Sequence, residues 1–266
     1  MIKAPVSDAW ERGSPYEQYV GRWSRQVAPA FLAWLNIEPD RRWLDVGCGT
    51  GALSAAILDH CSPSSVMGVE PSEGFRTTAK LNLEGRVALH SGDAASLPLD
   101  DDAVDAVVSG LVLNFIPDQP AALQEMARVT RKGGTVAAYV WDYAGKMELM
   151  RYFWDAAVSL SAAAHALDEG VRFPVCRPQA LQELFTSELF SPPQVQGIEI
   201  ATPFASFEEY WQPFLGGQGP APAYAMSLTA DDRRQLHDRL RDRVPSKPDG
   251  SLSMTARVWA IRAQVA

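Results

Sequence analysis

The chain has 266 residues, with 24 lysines and arginines against 32 aspartates and glutamates, which gives a formal net charge of −8. Hydrophobic residues make up 47% and charged residues 21%, as in globular domains and unlike disordered or collagen-like chains. The acidic balance argues against a large basic face for nucleic acid or for a membrane surface. Its three cysteines form no CxxC pair, which excludes a zinc ribbon or a secreted disulfide scaffold and predicts a cytoplasmic protein.

The first half of the chain predicts an alternation of strands and helices. Apolar residues spaced by three and four predict a helix over residues 15–35, interrupted near Pro29. Short apolar runs then predict strands at 43–46, 66–69, 87–90, 104–109 and 135–141, with helices at 52–58, 72–83 and 117–131. This alternation is typical of βαβ units and predicts a doubly wound parallel sheet in an α/β fold.

The second half follows a different pattern. We expect helices at 146–166, 179–187, 206–215 and 229–243, a strand at 195–201 and a final strand at 252–264. A glycine- and proline-rich stretch at 216–224 predicts a loop. No signal peptide and no apolar run of about 18 residues is found, so no bilayer span is expected.

The strongest local motif lies between the first strand and its helix, in DVGCGTGA at residues 45–52. Glycines let the backbone turn tightly and let a ligand lie against the main chain. The spacing also fits G-x-G-x-x-[GA], so a dinucleotide site remains possible on glycines alone. Asp45 opposes that interpretation, because a pyrophosphate there would meet a carboxylate. A ligand with an ammonium and a sulfonium would be attracted, which favours S-adenosylmethionine over NAD.

Two further acids follow the next strands. Glu70 closes the second strand, where a carboxylate can accept hydrogen bonds from both ribose hydroxyls, a feature shared with NAD sites. Asp93 closes the third strand, where it can accept a hydrogen bond from an adenine amino group. Any one acid alone is equally explained as a turn or cap residue. Three of them at successive strand ends predict one binding site.

Four segments together resemble the class I S-adenosylmethionine-dependent methyltransferases, in particular the type 11-like subgroup that acts on small molecules. The segments are LDVGCGTG at 44–51, VEPSEGF at 69–75, GDAASLPLDDDAVDAVVSG at 92–110 and RVTRKGGTV at 128–136. The resemblance implies a Rossmann-like seven-stranded sheet in the order 3-2-1-4-5-7-6, with the last strand antiparallel. It implies one domain over residues 1–266: a helical lid at 1–40, a cofactor-binding core at 41–142, a substrate-side insertion with strand six at 143–250, and the final strand at 251–266.

The resemblance also assigns residues to the cofactor. Asp45 and the three glycines would hold the methionine end, Glu70 the ribose, and Asp93 with the Ala94 backbone the adenine. The complete set of implied cofactor residues is Tyr19, Trp23, Asp45, Gly47, Gly49, Gly51, Glu70, Pro71, Asp93, Ala94 and Ser109. Tyr19, Arg22 and Trp23 belong to the lid helix, whose aromatic residues are equally explained as packing.

The catalytic side departs from the family. Where many relatives carry a histidine after strand four, this chain has Asn114, which cannot act as a base near neutral pH. Asp142 and Tyr143 are the other weak catalytic candidates. Substrate contacts are expected from Asn114, Phe115, Trp141, Trp211 and Phe214. His60 and His237 lack metal-ligand companions at useful spacing, so no metal is predicted.

The leading hypothesis is a methyltransferase that acts on a small molecule by aligning it with S-adenosylmethionine, yielding S-adenosylhomocysteine. Nucleic acid is disfavoured as the substrate, because the chain has no N/D-P-P-Y/F tetrad to stack a flipped base. Two alternatives stay open. One is a cofactor-binding regulator or partner subunit that lacks turnover, and the other is an NAD-dependent oxidoreductase.

Overall fold

The computed structural model describes residues 20–216 and 219–266. The strands are β1 (Arg42–Val46), β2 (Ser65–Val69), β3 (Ala88–His90), β4 (Val104–Gly110), β5 (Thr130–Trp141), β6 (Gln194–Phe204) and β7 (Leu252–Gln264). The α-helices are α1 (Arg22–Leu35), α2 (Ala52–His60), α3 (Glu73–Asn82), α4 (Gln119–Val129), α5 (Glu148–Leu160), α6 (Glu169–Arg172), α7 (Pro178–Phe185), α8 (Phe207–Trp211), α9 (Pro220–Ser227) and α10 (Ala230–Arg243). Among the described residues, no helix is long and apolar enough to cross a membrane.

The strands form one seven-stranded mixed sheet in the order β3-β2-β1-β4-β5-β7-β6. β1 pairs in parallel with both β2 and β4, and β4 pairs in parallel with β5. β7 is antiparallel to β5. The pairing is seen where the amide of Gly133 in β5 donates to the carbonyl of Val265, and the amide of Val265 donates to the carbonyl of Gly134. The predicted order and the antiparallel last strand are confirmed. The order reverses between β1 and β4, so a ligand crevice is expected beyond the carboxyl ends of these strands.

The chain divides into two compact units. The sheet unit comprises Ser24–Val140, Val175–Ile198 and Val258–Ala266. The helical unit comprises Trp141–Pro174, Glu199–Arg257 and, among the described residues, 20–23. Trp43, Ile57 and Val107 are completely buried in the sheet unit, and Phe153 and Phe214 in the helical unit. Each unit therefore has a hydrophobic core of its own.

Helix α1 differs from the prediction, because Pro29 does not interrupt it. A proline inside a helix removes one backbone hydrogen bond and costs about 3 kcal/mol or more. Val27, Phe31 and Leu35 of the same helix are buried in the sheet unit. Burying such side chains contributes about 1.5–3 kcal/mol each, which is enough to offset the lost bond.

Two predictions beyond β5 were wrong in extent. The stretch 216–224 was predicted as a loop, but its second half is the start of α9, where proline occupies a first-turn position that needs no N–H. The helix predicted over 146–166 ends at Leu160, because Ser161 has extended dihedral angles (φ −146°, ψ 113°). A short 3₁₀ helix, Ala162–Leu167, follows it.

Candidate cofactor site

The turn between β1 and α2 can be built only with glycine at two of its positions. Gly47 and Gly51 have φ angles of +71° and +90°, in the left-handed region that side chains disfavour. A Cβ on Gly47 would lie 2.5 Å from a Val112 methyl carbon, and one on Gly51 would lie 2.8 Å from Leu83. The Gly47 amide donates to the Val69 carbonyl at 2.7 Å, which joins the turn to the end of β2. The result is a fixed turn at the switch point of the sheet.

Asp45 lies in β1 just before this turn and has an unusual environment. Its side chain is 1% exposed, and its Oδ2 accepts a hydrogen bond of 2.7 Å from the Ser54 hydroxyl. Its Oδ1 is buried and has no hydrogen-bond partner. Burial raises the pKa of Asp45 to about 7, while the Ser54 hydrogen bond acts in the opposite direction. A buried carboxylate oxygen without a donor is well suited to a cationic ligand group.

Glu70 follows β2 and is held by two backbone amides. Its Oε2 accepts a hydrogen bond from the Gly49 amide at 3.1 Å, and its Oε1 accepts one from the Ser72 amide at 2.9 Å. Burial raises the pKa of Glu70, and both amides and the charge of Arg76 lower it. The carboxylate is thus oriented by the glycine turn itself. Its remaining lone pairs can accept hydrogen bonds from ligand hydroxyls.

Asp93 and its neighbours form the opening after β3. The Asp93 side chain is exposed and accepts a hydrogen bond from the Ala95 amide at 2.8 Å. Ala94 is half-buried, and Pro71, in the loop after β2, is exposed. β3 pairs in parallel with β2, so the two loops leave the same edge of the sheet. The structure therefore brings the predicted ribose and adenine residues to one edge.

The end of β4 contributes a buried polar group of its own. Ser109 is completely buried and donates to the Val46 carbonyl at 2.9 Å, so its hydroxyl hydrogen is already used. Asn114 lies in a 3₁₀ turn, Leu113–Phe115, just after the strand. Its Nδ2 is buried and has no acceptor, whereas Phe115 is half-buried. The amide of Asn114 is therefore a free donor beside the switch point.

Asp142, in the helical unit, is engaged by other groups through one of its carboxylate oxygens. Its Oδ2 accepts hydrogen bonds from Arg257 Nη2 at 2.6 Å, Arg257 Nε at 2.9 Å and the Lys146 amide at 2.8 Å. In the described conformation these contacts give Asp142 a structural role in the turn after β5. The adjacent Trp141 and Tyr143 are both buried.

The remaining predicted contacts lie inside the helical unit or outside the described residues. Phe214 is completely buried and stacks on Phe153 with ring centroids 4.5 Å apart. Trp211 is 5% exposed and packs against Phe214 at 5.9 Å. Trp23 is 4% exposed. Tyr19 lies outside the described residues. These aromatic side chains are core residues in the conformation described, and their predicted ligand contacts stay predictions.

Sequence reasoning missed two residues that shape the site. Ser54 is the hydrogen-bond partner of Asp45, and Arg76 Nη1 donates to the carbonyls of Glu70 at 2.6 Å and Pro71 at 2.7 Å. Both lie on helices that follow the motifs, and neither belongs to a motif. Among the residues that the structure describes, no group of three His, Cys, Asp or Glu could hold a metal ion.

Part of the chain is similar in sequence to known proteins. Residues 44–138 match the family model described as "Methyltransferase domain". Over 137 residues the chain is 32% identical to a malonyl-[acyl-carrier protein] O-methyltransferase from Serratia marcescens, covering 50% of this chain and 51% of that protein. Over 118 residues it is 35% identical to a demethylmenaquinone methyltransferase from Staphylococcus epidermidis, covering 43% and 47%.

A solved structure shares the fold. Phosphoethanolamine N-methyltransferase 2 from Haemonchus contortus, in complex with S-adenosyl-L-methionine, superposes with a TM-score of 0.58 at 14% identity, over 95% of this chain and 56% of that one. The chain spans about half the length of the curated relatives that it matches. The matched residues 44–138 include the glycine turn and all three strand-end acids. Residues 44–138 are therefore a methyltransferase domain of the class I, S-adenosylmethionine-dependent family.

Proposed function

We propose that the protein transfers a methyl group from S-adenosylmethionine to a small-molecule acceptor and releases S-adenosylhomocysteine. The observation that carries this proposal is the unpartnered Oδ1 of Asp45, buried next to the glycine turn. A cationic group supplies the missing donor and the missing charge at this oxygen, whereas a pyrophosphate supplies neither. This chemistry favours S-adenosylmethionine over NAD.

The described residues fit the rest of that cofactor. Asp45 and the turn would hold the methionine end, and Glu70, already oriented by Gly49, would accept the ribose hydroxyls. Asp93 and the Ala94 backbone would meet the adenine. The bound cofactor supplies a methyl group activated on its sulfonium, so the protein need only align the acceptor and exclude water.

The candidate bases support an alignment mechanism. Asn114 is a donor and Asp142 is bound to Arg257, so neither is a free base in the described conformation. The acceptor in this proposal therefore reacts without a proton transfer to either residue. An alignment mechanism needs no histidine base, so replacing His90 or His165 with alanine is expected to leave turnover intact. A variant that loses turnover but keeps its affinity for the cofactor would contradict this mechanism.

Calorimetric titration tests the proposal. S-adenosylmethionine, S-adenosylhomocysteine and NAD are titrated into the wild type, Asp93→Ala and, as a matched control, Asp59→Ala on the exposed side of α2. We expect both sulfur compounds to bind the wild type and the control, and to bind Asp93→Ala at least tenfold more weakly. Binding of NAD alone would favour an NAD-dependent oxidoreductase. Absence of binding by all three ligands would favour a regulator without turnover.

A further inference from the structure

Ser54 lies in the first turn of α2 and is completely buried. Its hydroxyl donates a hydrogen bond of 2.7 Å to Oδ2 of Asp45, in the strand that leads into the glycine turn. Both residues belong to the sheet unit. A buried hydroxyl that loses its acceptor is unfavourable, so this hydrogen bond holds the two side chains together.

The residues paired with Asp45 in the sheet cannot donate a hydrogen bond from a side chain. The register places Asp45 beside Gly68 in β2 and beside Val108 in β4. Glycine has no side chain, and the valine side chain is apolar. Oδ2 of Asp45 therefore takes its donor from α2, and Oδ1 is left without a partner.

Several ionisable groups influence the charge of Asp45 or of its neighbours. Burial raises the pKa of Asp45, and the charge of Glu70 acts in the same direction. Burial also raises the pKa of the Cys48 thiol, which therefore stays neutral. The charge of Arg76 opposes the effect of burial on the pKa values of Glu70 and Cys48. For Asp45 itself, the groups that lower the pKa are the hydroxyl and the backbone amide of Ser54.

The hydrogen bond from Ser54 has two consequences for a ligand of Asp45. It restricts the rotation of the carboxylate group, so that Oδ2 stays on the side of Ser54 and Oδ1 on the other side. It is also charge-assisted only while Asp45 is ionised, so it favours the carboxylate over the acid. Both effects suit an ammonium group, which requires a charged oxygen with a free lone pair.

We propose that Ser54 is a positioning residue for the cofactor, whose hydroxyl presents Oδ1 of Asp45 to the ammonium group and keeps this carboxylate ionised near neutral pH. The inference rests on the proposed function and deepens it. It adds that a bound cofactor displaces a proton from Asp45 to the solvent, and that Ser54 sets the pH below which this displacement weakens binding.

The expected pH dependence follows from proton linkage. The pKa of Asp45 is about 7, so below this pH an ammonium ligand competes with a proton and its affinity falls about tenfold per pH unit. Above pH 7 the affinity becomes level. A hydrogen bond to a charged group corresponds to about one to two pH units, so Ser54→Ala should move the level region to about pH 8–9. The backbone amide remains in this variant, which isolates the effect of the hydroxyl.

Calorimetric titration with S-adenosylhomocysteine at pH 6, 7 and 8 tests this role. Each titration is repeated in a second buffer of different ionisation enthalpy, which gives the number of protons released on binding. The variants are Ser54→Ala, Ser54→Thr, which keeps the hydroxyl, and Ser65→Ala as an exposed control at the start of β2. Urea unfolding of the same proteins without ligand, at the same pH values, is a second readout.

For the wild type, Ser54→Thr and the control, we expect affinity to rise about fivefold from pH 6 to pH 7 and less than about twofold from pH 7 to pH 8. Ser54→Ala should bind at least about fivefold more weakly at pH 7, gain at least about fivefold from pH 7 to pH 8, and release nearly one proton at pH 7 against about half for the wild type. Without ligand, Ser54→Ala should lose more stability from pH 7 to pH 8 than the wild type.

Two results would overturn the inference. One is unchanged affinity in Ser54→Ala, and the other is a loss of affinity that is the same at every pH, which would give Ser54 only a structural role. Absence of S-adenosylhomocysteine binding to the wild type would instead refute the proposed function. Equal pH slopes of the wild type and Ser54→Ala in urea would refute the effect of Ser54 on Asp45 independently of any ligand.

Discussion

Replacing Asp45 with asparagine is expected to stabilise the protein and to impair cofactor binding at the same time. The asparagine keeps the shape of the side chain and an oxygen for the Ser54 hydroxyl, but it cannot ionise. The folded protein must ionise Asp45 in a buried position, and this raises its pKa from the ordinary 3.8 to about 7. Between these two pH values the folded chain keeps a proton that the unfolded chain has released.

The sign and size of the effect follow from proton linkage. Because the folded state binds the extra proton, wild-type stability falls as pH rises from about 4 to about 7, by about 1.4 kcal/mol per pH unit. The total is about 4 kcal/mol, of which about 3 kcal/mol is lost between pH 5 and pH 8. Asp45→Asn lacks this loss, so its stability advantage over the wild type should grow over that range. The cofactor, in contrast, loses a charge-assisted hydrogen bond of about 1.5–3 kcal/mol, or at least tenfold in affinity.

Urea unfolding of both proteins at pH 5, 6, 7 and 8 measures the first effect, and calorimetric titration with S-adenosylmethionine measures the second. A stability difference that stays constant with pH would refute the buried, poorly solvated state of Asp45. Unchanged affinity for S-adenosylmethionine would refute its role as the partner of a cationic group. A variant that is more stable and binds less would show that this residue is kept for binding at a cost in stability.

Three further predictions concern the turn, the buried ion pair and a second buried acid. Gly47→Ala should lower the melting temperature and abolish cofactor binding, because its Cβ would clash with Val112. Gly250→Ala is the control, since Gly250 has a similar φ of +83° but no atom within 4 Å of an added Cβ, and this variant should bind the cofactor normally. Equal cofactor affinity in the two variants would contradict the clash. Arg257→Met should cost about 3–5 kcal/mol in urea unfolding, because it removes the charged partner of the buried Asp142 carboxylate. A loss below about 1 kcal/mol would contradict this. Burial raises the pKa of Glu169 to about 8, so the stability advantage of Glu169→Gln in urea should grow from pH 5 to pH 8, and a pH-independent difference would refute it.

Much of the cofactor side was predictable from sequence, because it depends on local backbone chemistry. The glycines near Asp45 encode a tight turn by their own conformational freedom, and the alternation of strands and helices places Glu70 and Asp93 at successive strand ends. Parallel pairing then brings those ends to one edge of the sheet. Short-range patterns were sufficient for these features.

The second half was less predictable, because its structure depends on packing between distant residues. The sequence predicted Phe214 as a substrate contact, but its ring stacks on Phe153, which lies 61 positions earlier in the chain. The sequence predicted Asp142 as a candidate base, but its carboxylate accepts hydrogen bonds from Arg257, which is distant in the chain. A proline such as Pro29 would break an isolated helix, yet α1 continues past it because the side chains around it are buried in the sheet unit. None of these partners is visible in a local pattern.

A crystal structure of the protein with S-adenosylhomocysteine tests the central claim most directly. The account predicts that the amino group of the ligand lies within hydrogen-bond distance of Asp45 Oδ1, that its ribose hydroxyls meet Glu70 and that its adenine lies beside Asp93. A ligand that leaves Asp45 Oδ1 unpaired, or that binds away from the glycine turn, would contradict the account.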